Sequence, residues 1–299
     1  MPESLDGRRL LHVLRKLLGK SHPGSTQKLL RQGRVLVDGM RPAPAQPVRA
    51  GQKIVVLPRS TPKPPLQPNR RLRLDIAHED EHFVVVRKPA GLAVHPGTGH
   101  GTDTLLNALL ARYDRPLREL GEEGGYGLVH RLDRGTSGLM VVALSRAAYD
   151  DLRAQFAERR IEKEYLCLVH GLMCAARGKL AAPIEGREAA TEWTVKERLG
   201  THTLLAVRPL TGRTHQIRIH LAGCGHPVAG DRLYLDAARW KADRARLGLE
   251  RPFLHARRLA FHHPRTGELL AFEDELPADL AAILEHLRHG STATSPGGP

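Results

Sequence analysis

The sequence predicts an α+β protein: a large region on a largely antiparallel sheet with flanking helices, preceded by a small basic α/β domain. Three observations carry this. Over residues 73 to about 290, short apolar runs suited to strands are numerous and helical stretches few, so strands must pair mostly with each other. Residues 59–71 hold a proline-rich stretch with no periodic apolar pattern, which reads as an extended linker. At 299 residues the chain is longer than one comfortable core and suggests one large domain plus a smaller one.

The front segment, 1–58, is read first. In residues 8–20 leucines at 10, 11, 14, 17 and 18 oppose basic residues at 8, 9, 15, 16 and 20, the pattern of an amphipathic helix. Ser25–Gly33 suggests a second helix, with Ser25 as cap and Gly33 at its end. Alternation over Arg34–Gly39 indicates a short strand and tight turn, and Lys53–Leu57 a closing strand.

In the large region, 72–290, Phe83–Val86 reads as a buried strand and Thr104 opens a helix running through Leu110. Further strands are expected at 139–144, 164–170, 191–195, 202–208 and 214–220. Helices are expected at 146–158, 235–247 and 277–288. The last residues, 291–299, are small and polar and read as a disordered tail.

Charge bounds the partner. The net charge is +14, and residues 1–59 alone hold twelve Lys/Arg against three Asp/Glu. Such a balance favours a polyanion, most commonly nucleic acid. Aromatics make up only 4%, too few for an extended base-stacking platform. No apolar run is long enough to span a bilayer and the amino terminus lacks a secretory core, so the expected location is the cytoplasm. Cys167, Cys174 and Cys224 show no Cys-x-x-Cys spacing, so neither a disulfide framework nor a metal is expected. There is no nucleotide-binding glycine loop either; Gly97–Gly101 reads as a flexible turn, and no cofactor is expected.

The most informative stretch is Val129-His130-Arg131-Leu132-Asp133-Arg134-Gly135-Thr136-Ser137-Gly138-Leu139-Met140. One acid, Asp133, lies between apolar runs, with Arg131 and Arg134 placed to compensate its charge. On chemistry alone, a structural ion pair and a catalytic carboxylate are both open. The pattern His-Arg-Leu-Asp-x-x-Thr-Ser-Gly-Leu resembles the catalytic motif of the RluA family of RNA pseudouridine synthases, and Leu210–Ala222, with Thr-Gly-Arg-Thr-His-Gln-Ile-Arg inside it, resembles that family's second conserved block. The likeness extends over nearly all of 73–280; Gly135 departs from it, where relatives often carry a polar or acidic residue.

The resemblance implies the pseudouridine synthase fold and specific roles. Asp133 would be the catalytic aspartate, acting as nucleophile or steering proton loss at the ribose. Arg218, read as a strand residue facing a cleft, would pair with it. Tyr165, in the family's Lys-x-Tyr, would stack on the target base and assist proton removal from carbon 5. Arg131 would fill the space left by a flipped uridine. His130, Lys88, Arg213 and Thr136 are further candidates for RNA contact, Lys88 either holding phosphate or bracing its loop. Residues Gly230-Asp231, Tyr234 and Leu254-His255-Ala256 match later blocks read as structural.

The front segment resembles the S4 RNA-binding domain, though Arg9-Leu10-Leu11 stands where that domain often opens with Arg-Leu-Asp. Together these features imply an enzyme that isomerises uridines in structured RNA, most readily large-subunit (23S) ribosomal RNA, acting as a monomer with no obligate protein partner or membrane. Alternatives are a transfer RNA (tRNA) substrate, a non-catalytic RNA-binding or ribosome-assembly protein on the same fold, and a base-excising hydrolase. The last would need a water-activating acid pair, which is not evident in the sequence.

Overall fold

The computed structural model describes residues 6–17, 26–27, 29–30, 33–43, 46–57, 66–97 and 101–292. The chain divides into two units, Met1–Pro65 and Leu66–Pro299. Residues 66–71, expected in the linker, belong to the second unit: Asn69 donates its N–H to the Asn107 carbonyl, and the Asn107 amide donates to that of Gln67.

In the first unit, helix α1 (Leu10–Leu17) follows the predicted amphipathic pattern. Leu10, Val13 and Leu14 are buried against Val35, Val37 and Val48, while Arg8, Arg9, Arg15 and Lys16 stay exposed. Strands β1 (Val35–Val37) and β2 (Ile54–Val56) pair antiparallel, Val35 opposite Val56. The Asp38 carboxylate accepts the Lys53 N–H and so ties the turn after β1 to the start of β2. Of the second helix expected over Ser25–Gly33, Thr26, Gln27, Leu29 and Leu30 are helical, while Ser25, Lys28, Arg31 and Gln32 lie outside the described residues, as do residues 59–65 of the linker and Thr98–His100 of the glycine-rich turn.

Among the described residues the second unit is built on nine strands. They are β3 (Asp75–Glu79), β4 (Phe83–Lys88), β5 (Ser137–Ala143), β6 (Glu162–His170), β7 (Arg177–Leu180), β8 (Thr191–Leu199), β9 (His202–Pro209), β10 (Leu254–His262) and β11 (Leu269–Glu273). The spatial order is β3-β4-β5-β10-β6-β9-β8-β7, with β11 also on β10. The β5–β10 pair is parallel, while every other neighbour is antiparallel.

Helices cover both faces, which is why β4 and β5 read as unbroken apolar runs rather than alternating ones. Val84, Val86, Met140 and Val142 pack with Leu105, Leu106 and Leu109 of α2 (Leu105–Arg112) and Leu117 of α3 (Asp114–Leu120). Phe83, Val85, Leu139 and Val141 pack with Ala148 and Leu152 of α4 (Arg146–Ala157). Leu168 and Leu204 pack with Leu280, Ile283 and Leu284 of α7 (Ala278–Thr292). That helix runs two residues into the segment expected to be tail; residues 293–299 lie outside the described residues. Among the described residues no helix is long and apolar enough to cross a membrane.

One expected strand is a helix. The alternation of Ile217 and Ile219 predicts an extended segment over 214–220, but Gln216–Gly223 forms helix α5. Ile217 and Leu221 are buried four residues apart in the core, and Gln216 and His220, also four apart, both bond the Thr191 hydroxyl. The stronger period is therefore helical. His215, in the left-handed region at φ 53°, precedes the first turn. Helix α6 (Ala237–Leu247) completes the set, capped by the Asp236 carboxylate accepting the Arg239 N–H.

Candidate active site

The site forms where three chain segments meet beside the β5–β10 pair. Asp133 lies in the loop entering β5, anchored by buried Leu132 before it and by a turn in which Thr136 donates its N–H to the Asp133 carbonyl. The chain then enters β5 through Gly138 at φ 115°. A Cβ there would come within 2.3 Å of the Ala256 carbonyl oxygen on β10, so only glycine lets the two strands run this close. The Thr-Ser-Gly turn is thereby fixed in shape by backbone sterics.

Across from it, α5 presents Arg218, only 8% exposed. Its Nη1 donates to Asp133 Oδ2 at 3.1 Å, while Nε and Nη2 grip both oxygens of Asp231 at 2.6 and 2.7 Å. Asp231 is fully buried and also accepts the Leu233 N–H. A bidentate carboxylate fixes the guanidinium plane, and the remaining N–H then fixes Asp133. Tyr234 closes the assembly: the Arg218 guanidinium sits 5.1 Å from its ring centre, and its hydroxyl bonds His215 Nδ1 at 2.9 Å.

Asp133 Oδ1 accepts no hydrogen bond among the described residues; His215 Nε2, at 3.8 Å, is the near neighbour. The carboxylate thus has one oxygen clamped and one available. Burial holds the His215 pKa below its ordinary value, with Asp133 opposing and Arg218 adding to the shift, so the ring is neutral at pH 7. Tyr165 on β6 is buried, and burial together with the nearby Asp133 charge pushes its hydroxyl pKa well up. It is a phenol at neutral pH, able to stack or donate but not to serve as a standing phenolate base.

The structure thus brings Asp133, Arg218 and Tyr165 together. Arg131 is exposed, and its charge is felt at His95 and His215. Arg213 is half-buried on the loop before α5, its Nε donating to the Glu188 carbonyl. Asp133 is compensated by Arg218 rather than by its sequence neighbours, since Arg134 Nε turns away to the Gly91 carbonyl.

Of the two readings of Lys88 the structure favours bracing, and the expected RNA contacts of His130 and Thr136 are corrected. Lys88 is 1% exposed, and its Nζ donates to the carbonyls of Pro89, Leu92 and Arg134, so it braces the loop around Gly91 and cannot reach phosphate. Burial pulls its pKa down to about 7, with Arg251 adding to the effect and Asp133 opposing it. His130 lies against the Phe156 ring at 4.8 Å and accepts the Val141 N–H through Nε2; burial, helped by Lys163, lowers its pKa to about 3. Thr136 is 1% exposed with its hydroxyl buried, leaving its backbone turn as its contribution.

Three residues of the assembly were not singled out as site residues from the sequence. His215 sits inside the second motif, and Asp231 and Tyr234 inside a segment read as structural. Their signal was proximity to those motifs; nothing local to Asp231 announces that its partner is Arg218. Around Asp133 stand the Arg218 cation, neutral His215, the Tyr165 and Tyr234 phenols and Asp231, whose carboxylate is engaged by Arg218 and by the Leu233 N–H. A group with metal-ligand character occurs instead at His170, His202 and Asp243.

Residues 82–223 match the family described as RNA pseudouridylate synthase. The chain is 37% identical to the ribosomal large subunit pseudouridine synthase D of Nitrosomonas europaea, over 97% of this chain and 87% of that one. It is 35% identical to an uncharacterised RNA pseudouridine synthase of Bacillus subtilis, over 88% of each. Among solved structures it is similar to the human RNA pseudouridylate synthase domain containing 1, with a TM-score of 0.56 at 28% identity over 76% of this chain and 98% of that one.

Proposed function

The chain belongs to the RluA-type RNA pseudouridine synthases, and from that premise we propose that it isomerises uridine in large-subunit ribosomal RNA with Asp133 as its catalytic carboxylate. The observation that carries the assignment is the division of labour at Asp133: Oδ2 held by Arg218, which is itself locked by Asp231, and Oδ1 left without a hydrogen bond. The choice of ribosomal RNA is supported by the name of the Nitrosomonas relative and by the strongly basic chain.

The reaction breaks the bond between the ribose anomeric carbon and uracil N1 and makes one to carbon 5. The proton lost from carbon 5 is balanced by one gained at N1, so nothing is oxidised and nothing is added. Attack on the anomeric carbon and removal of a ribose proton both call on the same free oxygen, Asp133 Oδ1. A uridine must leave its stack to reach it, and exposed Arg131 is the long cation that would occupy the vacated space. Tyr165 would hold the base by its ring face while staying protonated. Asp231, fully buried and engaged by Arg218, supplies no water-activating partner, which weighs against hydrolytic release of uracil.

The test is release of tritium from carbon 5 of labelled uridine in large-subunit ribosomal RNA transcripts. Wild type releases label and forms pseudouridine in equal amounts, whereas Asp133→Asn releases none while binding the RNA with near wild-type affinity. Label release by Asp133→Asn removes Asp133 from this role.

A further inference from the structure

The residues described so far leave unused a cluster at one end of β6 and β9. His170, the last residue of β6, is the direct partner of His202, the first of β9. Their ring centres are 4.6 Å apart. Asp243 of α6 reaches the same point, its Oδ2 lying 2.9 Å from His170 Nε2. One ligand atom from each of the three lies within 4.8 Å of the others. His202 is 7% exposed, and its buried Nε2 has no hydrogen-bond partner among the described residues. A hydrogen-bonded His170–Asp243 pair accounts for one ring but leaves that nitrogen unexplained, since buried polar atoms are rarely left without a partner.

We propose that His170, His202 and Asp243 bind a Zn²⁺ ion. Two imidazoles and one carboxylate form the borderline N/O donor set this ion favours, and the set leaves a fourth position open. A tetrahedron with bonds of ~2.1 Å has edges of ~3.4 Å, so the longest separation closes by up to ~1.4 Å while the 2.9 Å His170 Nε2–Asp243 Oδ2 contact opens by ~0.5 Å, a rotation of side chains rather than of strands. A pocket of about 470 Å³ opens onto the cluster and is lined also by Arg239, Arg246 and His286. Those arginines favour an anionic or hydroxide group as the fourth ligand.

The site has a structural consequence independent of the reaction assigned above. Asp243 Oδ2 also accepts the Gly230 N–H at 2.7 Å. Gly230 has φ 74°, and a Cβ there would meet the Arg251 carbonyl at 2.2 Å, so this turn is tightly enclosed. The next residue is Asp231, which holds Arg218. A metal at Asp243 therefore staples β6, β9 and α6 together directly behind the turn that carries Asp231.

The experiment uses the full chain, stripped with a chelator and titrated with Co²⁺ as a spectroscopic stand-in, followed by competition with Zn²⁺. Expected are one Co²⁺ per chain with the intense visible bands of a tetrahedral N/O site, their loss on adding Zn²⁺, and a rise of Tm with Zn²⁺ concentration. His202→Phe fills the same space without a ligand atom and should weaken binding by more than about tenfold, with an unchanged far-ultraviolet circular dichroism spectrum. His170→Gln provides the same test should His202→Phe misfold. Failure of wild type to bind Co²⁺, a thiolate charge-transfer band assigning the ion to cysteine, or unweakened binding in a folded His202→Phe or His170→Gln each overturns the proposal.

Discussion

Asp231→Asn removes the part of the site that touches no substrate. Asp231 Oδ1 accepts from Arg218 Nη2 and Leu233 N–H, and Oδ2 accepts from Arg218 Nε at 2.6 Å. An asparagine keeps one acceptor, which the Leu233 N–H and Nη2 will share, and turns an NH₂ group toward Nε. One charge-assisted bond is lost, worth ~1.5–3 kcal/mol, and two donors are left facing each other. Breaking a buried ion pair from one side costs ~3–5 kcal/mol overall, and that range is the expected loss in urea unfolding, with the denaturant slope unchanged. If ~2 kcal/mol of that loss reaches the orientation of Asp133, turnover falls ~30-fold. KM for RNA should stay near wild type, because Asp231 is buried and faces Arg218 rather than solvent. A variant of wild-type stability, or one whose kcat changes less than its KM, refutes the claim that Asp231 acts by positioning Asp133 through Arg218.

Two further outcomes follow from the same structure. His130 is held neutral by burial, with its pKa lowered to about 3. The unfolded chain binds the proton below ~6.5 and the folded chain does not, so stability falls with pH in that window by ~1.4 kcal/mol per pH unit from this group. Between about pH 5.5 and 4.5, urea unfolding should show wild type losing ~1 kcal/mol more than His130→Gln, whose amide oxygen can still accept the Val141 N–H; equal slopes would mean the ring is not held neutral. Replacing the exposed Arg8, Arg9, Arg15 and Lys16 with Gln should reduce the slope of log affinity for RNA against log salt by ~3 if all four meet phosphates. An unchanged slope would take RNA contact away from α1.

The parts of this molecule legible in the sequence were those written in local pattern. Strands β4 and β5 stand out because both faces are covered, and α4 is expected at 146–158; that Ser145 caps it is seen only in the structure. The Asp133 loop is legible because its shape depends on consecutive residues, ending in the glycine that β10 requires. Arg218 is identifiable by its motif but not its element, since Ile217 and Ile219 imitate a strand while the i, i+4 pairs Gln216/His220 and Ile217/Leu221 decide for a helix. The pattern leaves two readings of Lys88 open and misplaces His130, because their hydrogen-bond partners are backbone groups, which no side-chain pattern reveals. Strand β10 was hidden by Arg257 and Arg258, where its register on β6 shifts. Asp231, in a turn, is not legible because its role is a contact with Arg218 on helix α5, settled only when the chain folds.

The central claim is that Asp133 drives base isomerisation in ribosomal RNA. The most direct test maps pseudouridine across total RNA from cells that carry the wild-type gene, lack it, or carry only Asp133→Asn. The account predicts sites in large-subunit ribosomal RNA that disappear without the gene, return with wild type and stay absent with Asp133→Asn. Sites restored by Asp133→Asn would contradict the role of the carboxylate, and a map that does not change in ribosomal RNA would contradict the substrate.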